Sequence, residues 1–266
     1  MSESEHEPVY PETTIIWEAE SLRLTAFPSP SAELGAQDWW KQLIGDEPDS
    51  KIMEPKTGVQ REEGRIKNDR VDGQLILAIQ PNRIDWQLGS ILEELPLRGL
   101  PTIGSFSEAL DFFLEKMLAW LKSTAPAVNR LAFGAVLLQP TSDLKDSYSH
   151  ISSYLPFGLD EGSSDFSYQI NRPRKLSSSD IPDLSVNRLS KWSAIKLSTG
   201  IFTGPPDNPN QITEYFNNST RFAVRLELDI NTAPNSSEEL SALELSDVFH
   251  QLVELGKEIA DKGDIK

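Results

Sequence analysis

The sequence predicts an α+β fold built from two similar βαβββα units, with antiparallel-rich sheets carrying helices on one face. Three observations carry this expectation. Short runs rich in β-branched and aromatic residues alternate apolar with polar side chains, the period of a half-buried strand. Two long amphipathic patterns close the two halves, "SFSEALDFFLEKMLAWLKST" and "SSEELSALELSDVFHQLVELGKEIADK". The passage "LRLTAFPSPSAELGAQDWWKQLI" also parallels "LAFGAVLLQPTSDLKDSYSHISSYL", with Pro30/Pro140, Ser31/Thr141 and Ile44/Tyr154 at a constant offset of 110. The expected organisation is an acidic tail over 1–12, a first unit over 13–125 and a second over 126–266, packed as one body.

In chain order, "TTIIWEAESLRLTAF" reads as a strand, ended by "PSPS". "SAELGAQDWWKQLIG" follows as a helix capped by Ser31 and stopped by Gly45. "DEPDSKIMEPKTG" reads as a loop and "VQREEGRI" as a polar strand at an edge. Gly73–Ser90 reads as a hairpin over Pro81-Asn82, its first arm apolar on both faces. The helix over Ser105–Thr124 opens with a Ser105/Glu108 capping box and buries Phe106, Leu110, Phe113, Leu114, Met117 and Leu121. "RLAFGAVLLQP" reads as a central strand. "TSDLKDSYSHISSYL" reads as a helix capped by Thr141 or Ser142. Three strands follow, "SDFSYQINRP", "NRLSKWSAIKLSTGIF" and "TRFAVRLELDIN", the last with Phe222, Val224, Leu226, Leu228 and Ile230 inward. A final helix with a Ser236/Glu239 capping box buries Leu245, Phe249, Leu252 and Ile259.

Composition narrows the function. The chain has 266 residues, no cysteine and a net charge of −16. Disulfides, thiolate zinc sites and cysteine nucleophiles are therefore excluded. Residues 1–20 hold six acids and no Lys or Arg, and 227–266 hold ten acids against three lysines, so the middle is close to neutral. Acidic ends and the lack of a basic stripe argue against direct nucleic-acid binding. The polar start and the absence of a long apolar run argue against secretion and membrane spanning, so the cytoplasm is the expected compartment.

Recognisable chemistry is sparse. The sequence holds neither a phosphate loop nor a dinucleotide fingerprint, and no nucleophile elbow. His6, His150 and His250 are far apart, so they offer no ligand spacing for a metal. Glu54-Pro55-Lys56 and Asp143-Leu144-Lys145 have an acid-x-Lys spacing. Pro55 argues for a loop, and Asp143 stands where helix capping favours an acid. Glu227 and Asp229 share a strand face with Arg221 and Arg225 and read as a charge ladder. Arg83, Asp85 and Gln87 read as the outward face of a strand. No catalytic residue, metal or cofactor is expected.

The strand "RLAFGAVLLQP", the late "LDIN" strand at Leu228–Asn231 and the final amphipathic helix over Ser236–Lys262 resemble a sporadically distributed family of uncharacterised bacterial proteins. The chain lacks the fuller Arg-Leu-Gly-Leu-Arg-like strand of that group. The resemblance supplies no catalytic residues. It implies an accessory gene, such as one of a defence or mobile-element locus. The leading expectation is a non-catalytic subunit or regulator that binds another protein, a basic one if the acidic ends take part. A metal-dependent hydrolase or nuclease using scattered carboxylates is the alternative, and an acidic DNA mimic is the third. Candidate partner contacts are the adjacent Trp39 and Trp40, and Tyr215 and Phe216 on the long loop "TGPPDNPNQITEYFNNST".

Overall fold

The computed structural model describes residues 16–30, 32, 38–91, 99–160, 162–176, 184–203, 214–234 and 240–264, with the backbone alone considered for 199–203 and 214–218. Among the described residues, ten strands form one antiparallel sheet. They are β1 (Glu18–Pro28), β2 (Ser50–Glu54), β3 (Val59–Lys67), β4 (Asp72–Gln80), β5 (Arg83–Gly89), β6 (Val128–Thr141), β7 (Ser167–Asn171), β8 (Arg174–Lys175), β9 (Ser185–Thr203) and β10 (Glu214–Thr232). Four helices accompany them: α1 (Trp39–Ile44), α2 (Phe106–Ser123), α3 (Leu144–Tyr154) and α4 (Ala242–Lys262). The sheet order is β2-β3-β4-β5-β1-β6-β10-β9-β7, and β8 pairs with β9. The chain is thus an α+β protein in which β1 and β6 lie side by side at the centre.

Strand alternation sorts the side chains onto two faces. Leu22 and Leu24 of β1, Leu77 of β4, Trp86 of β5, Phe133 and Leu137 of β6 and Leu226 of β10 point to one face, where all are buried. All four helices lie on that face. Gly256 of α4 stands over Phe133, and Trp120 of α2 meets Trp86 with ring centroids 6.1 Å apart. Trp40 of α1 lies against Gly64, and Tyr154 of α3 stacks on Trp192 at 4.9 Å. Burying a side chain such as Leu226 in this layer contributes about 1.5–3 kcal/mol.

Local chemistry sets the helix ends, and it corrects three expectations. Ser105 caps α2 as expected, accepting from the backbone N–H of Glu108. For α3 the cap is Asp143, not Thr141 or Ser142; Asp143 accepts from Asp146 N–H, and Asp146 bonds back to Ser142. For α4 the capping box is Ser241/Glu244, and the Ser236/Glu239 pair lies outside the described residues. Described helix in α1 is confined to Trp39–Ile44, closed by Gly45 at φ 96°. The expected Ser31 cap also lies outside the described residues. The third correction concerns the edge. Ser50–Glu54, read as loop, is strand β2, and it covers β3 so that "VQREEGRI" is not the edge.

Candidate functional site

No described helix covers the second face of the sheet. There β1 and β6 pair with Arg23 opposite Gly134, and Gly134 in turn faces Asp229 of β10. A concavity of about 290 Å³ opens over this point, lined by Arg23, Gln87, Val136, Gln169, Leu189 and Asp229 among others. Gly134 allows the geometry. A Cβ there would stand 3.2–3.5 Å from three guanidinium atoms of Arg23, so the arginine lies across the bare backbone of β6. Arg23 forms no ion pair or hydrogen bond among the described residues, and its Nε–H is buried without an acceptor. Such a donor costs about 1–3 kcal/mol when nothing satisfies it.

The surrounding charges are mostly spoken for. Lys191 pairs with Glu227 at 3.0 Å, and Arg225 bridges Glu227 at 2.5 Å and Glu20 at 3.3 Å. This is the ladder expected for Glu227. Asp229 takes one hydrogen bond, from Asn231 Nδ2 at 3.0 Å. The polar row of β5 also lies on this face. Arg83 Nε pairs with Asp85 at 2.6 Å, Thr25 Oγ1 donates to Asp85 at 2.5 Å, and Gln87 lines the concavity.

A second feature is a ribbon. β10 pairs with β6 only from Phe222 to Asn231, whereas its pairing with β9 runs on to Glu214. Residues 197–203 of β9 and 214–221 of β10 therefore have only one another as described strand partners. The eight steps from Phe222 to Glu214 reach roughly 27 Å past the last β6 pair. Tyr215 and Phe216, read as loop residues, belong to this ribbon, paired with Phe202 and Ile201.

Trp39 and Trp40 go elsewhere. Both are at least 98% buried. Trp39 meets Trp120 edge-on at 5.5 Å, and Trp40 stacks on Trp86 at 6.1 Å. Both rings are packed into the core against the sheet and α2, while Lys41 and Gln42 of the same helix are exposed. Sequence reasoning did not single out Arg23 or Gly134. The usable signal was "RLAFGAV", where a glycine interrupts a strand of large apolar residues; such a glycine often marks a close approach.

Among the described residues no three His, Asp or Glu side chains gather into a metal-binding group, and no helix is long and apolar enough to cross a membrane. No family model matches the chain, and neither the curated proteins nor the solved structures contain a significant match.

Proposed function

We infer that the protein is a non-catalytic accessory subunit or regulator that binds another protein, and that the β9–β10 ribbon is its contact. The observation that carries this reading is the ribbon's length beyond β6. A two-stranded ribbon is marginally stable by itself in water. Among the described residues its outer edges have no strand partner, and their backbone N–H and C=O groups suit pairing with a partner strand, the geometry of β-augmentation. Tyr215 and Phe216 belong to residue types enriched at interfaces. The acidic ends would steer a basic partner toward the complex. The resemblance to a sporadically distributed bacterial family fits an accessory role in a defence or mobile-element locus, acting in the cytoplasm.

The same reading treats the chain as two related units. Residues 18–123 run β-α-β-β-β-β-α, and so do residues 128–262. The sheet order places β5 beside β1 in one half and β10 beside β6 in the other. This supports a duplication whose halves meet along β1 and β6. Each half carries one more short strand than the expected βαβββα pattern.

The test is recovery of a stoichiometric partner from native lysate by the tagged protein, compared with Tyr215→Ala/Phe216→Ala. The double variant is expected to lose at least 90% of the partner with an unchanged thermal midpoint. Magnesium- or manganese-dependent hydrolysis of nucleic acid by the pure chain would instead select the hydrolase alternative. Competition of partner binding by duplex DNA would select the mimic.

A further inference from the structure

We propose that the concavity over Gly134 is a binding site for a free aliphatic α-amino acid, whose carboxylate is held by Arg23 and whose ammonium is held by Asp229. The reading is independent of the partner-binding ribbon.

The argument begins with what the two charges lack. Arg23 has no partner among the described residues although its Nε–H is buried. Buried polar groups in folded proteins are satisfied by protein, water or ligand in the great majority of cases. Asp229 spends one oxygen on Asn231 and leaves the other without a described donor. Both side chains rise from the same face on either side of Gly134, so their Cα atoms are roughly 10 Å apart, two strand spacings. They nevertheless form no ion pair with each other. An unpaired cation and a half-paired anion facing across a glycine make a complement for a zwitterion.

The remaining surroundings narrow the ligand. Lys191 and Glu227 neutralise one another, so the concavity has no excess positive charge for a dianion such as phosphate. A single carboxylate suits the planar fork of an arginine. Gln87 and Gln169 stand at opposite sides with amides that both donate and accept. Val136 and Leu189 supply an apolar wall for an aliphatic side chain. A volume near 290 Å³ is at the lower end for small-molecule sites and admits an amino acid but little more.

Isothermal titration calorimetry of the full chain tests this with L-leucine, L-valine and L-alanine as probes. Two analogues of L-leucine accompany them: 4-methylpentanoate, which lacks the amine, and isoamylamine, which lacks the carboxylate. Saturable binding of at least one amino acid is expected, with its affinity reduced tenfold or more by Arg23→Met and by Asp229→Asn. Each analogue is expected to bind at least tenfold more weakly than L-leucine. Gly134→Val is the second line of test, because it keeps both charges while its side chain displaces the guanidinium; it should abolish binding. Thermal midpoints separate lost binding from lost folding, and Arg23→Lys serves if Arg23→Met unfolds the chain. No saturable binding at millimolar concentration would overturn the proposal. So would equal binding of 4-methylpentanoate and L-leucine, or binding that survives both Arg23→Met and Gly134→Val.

Discussion

Asp264 fastens the end of α4 to the β7 edge of the sheet. Its carboxylate accepts from Arg172 Nε and Nη2 and from Tyr168 Oη at 2.8 Å, and its side chain is almost wholly buried. The Arg172 hydrogen bonds hold its pKa below the usual carboxylate value of 3.8. A carboxylate whose folded pKa lies below its unfolded one stabilises the fold above the unfolded pKa, and that contribution disappears as pH falls through the folded value. Asp264→Asn should therefore cost about 2–3 kcal/mol at neutral pH, the worth of hydrogen bonds to a charged group. The deficit should shrink below about pH 4 as the wild-type carboxylate is protonated. Urea midpoints at pH 7, 5 and 3 measure it; a deficit that stays constant across that range contradicts the assignment. Tyr154 behaves differently. Burial pushes its pKa up to about 12, so it stays protonated and donates to Gln139 at 3.3 Å.

At the scale of elements, α4 shows how closely a helix can sit on the sheet. Gly256 is buried mid-helix, where an alanine would ordinarily gain about 1 kcal/mol of helix propensity. Here an added Cβ would stand 2.9 Å from Phe133 Cε1, which is itself packed edge-on against Phe249. Overpacking should outweigh propensity, and Gly256→Ala is expected to destabilise by about 1–3 kcal/mol. A raised thermal midpoint for that variant would show that the contact is slack. The elements legible in the sequence share one property: their burial follows a single period. In β10, Val224 to Ile230 alternate cleanly, and α2 keeps a broad apolar stripe, so both were readable. β2 was not, because Lys51 to Glu54 are exposed on both faces and leave no alternation to see. The α4 cap was misplaced because Ser-x-x-Glu occurs twice within nine residues, and only the fold selects Ser241. Arg23 was invisible for a related reason. A strand arginine looks like any solvated one until sheet order sets it across from a glycine more than a hundred residues later.

Across the whole molecule, one sheet does two jobs. Its helix-covered face holds the tryptophan-rich core, and its other face and the β9–β10 ribbon carry the polar and unpaired features. The centre is built from β1 and β6, strands far apart in sequence, which places the concavity where the two proposed units meet. The ribbon departs from the body where the β6 pairing ends. Replacing residues 199–219 by Asn-Gly would join Ser198 to Thr220, which already face each other, through a two-residue turn suited to a hairpin.

The most direct measurement is quantitative mass spectrometry of what the full chain and this shortened chain each retain from native lysate at low and moderate salt. The account predicts a stoichiometric partner on the full chain, its loss from the shortened chain, and equal thermal midpoints for the two. Equal retention by both, or no partner on the full chain, would contradict it.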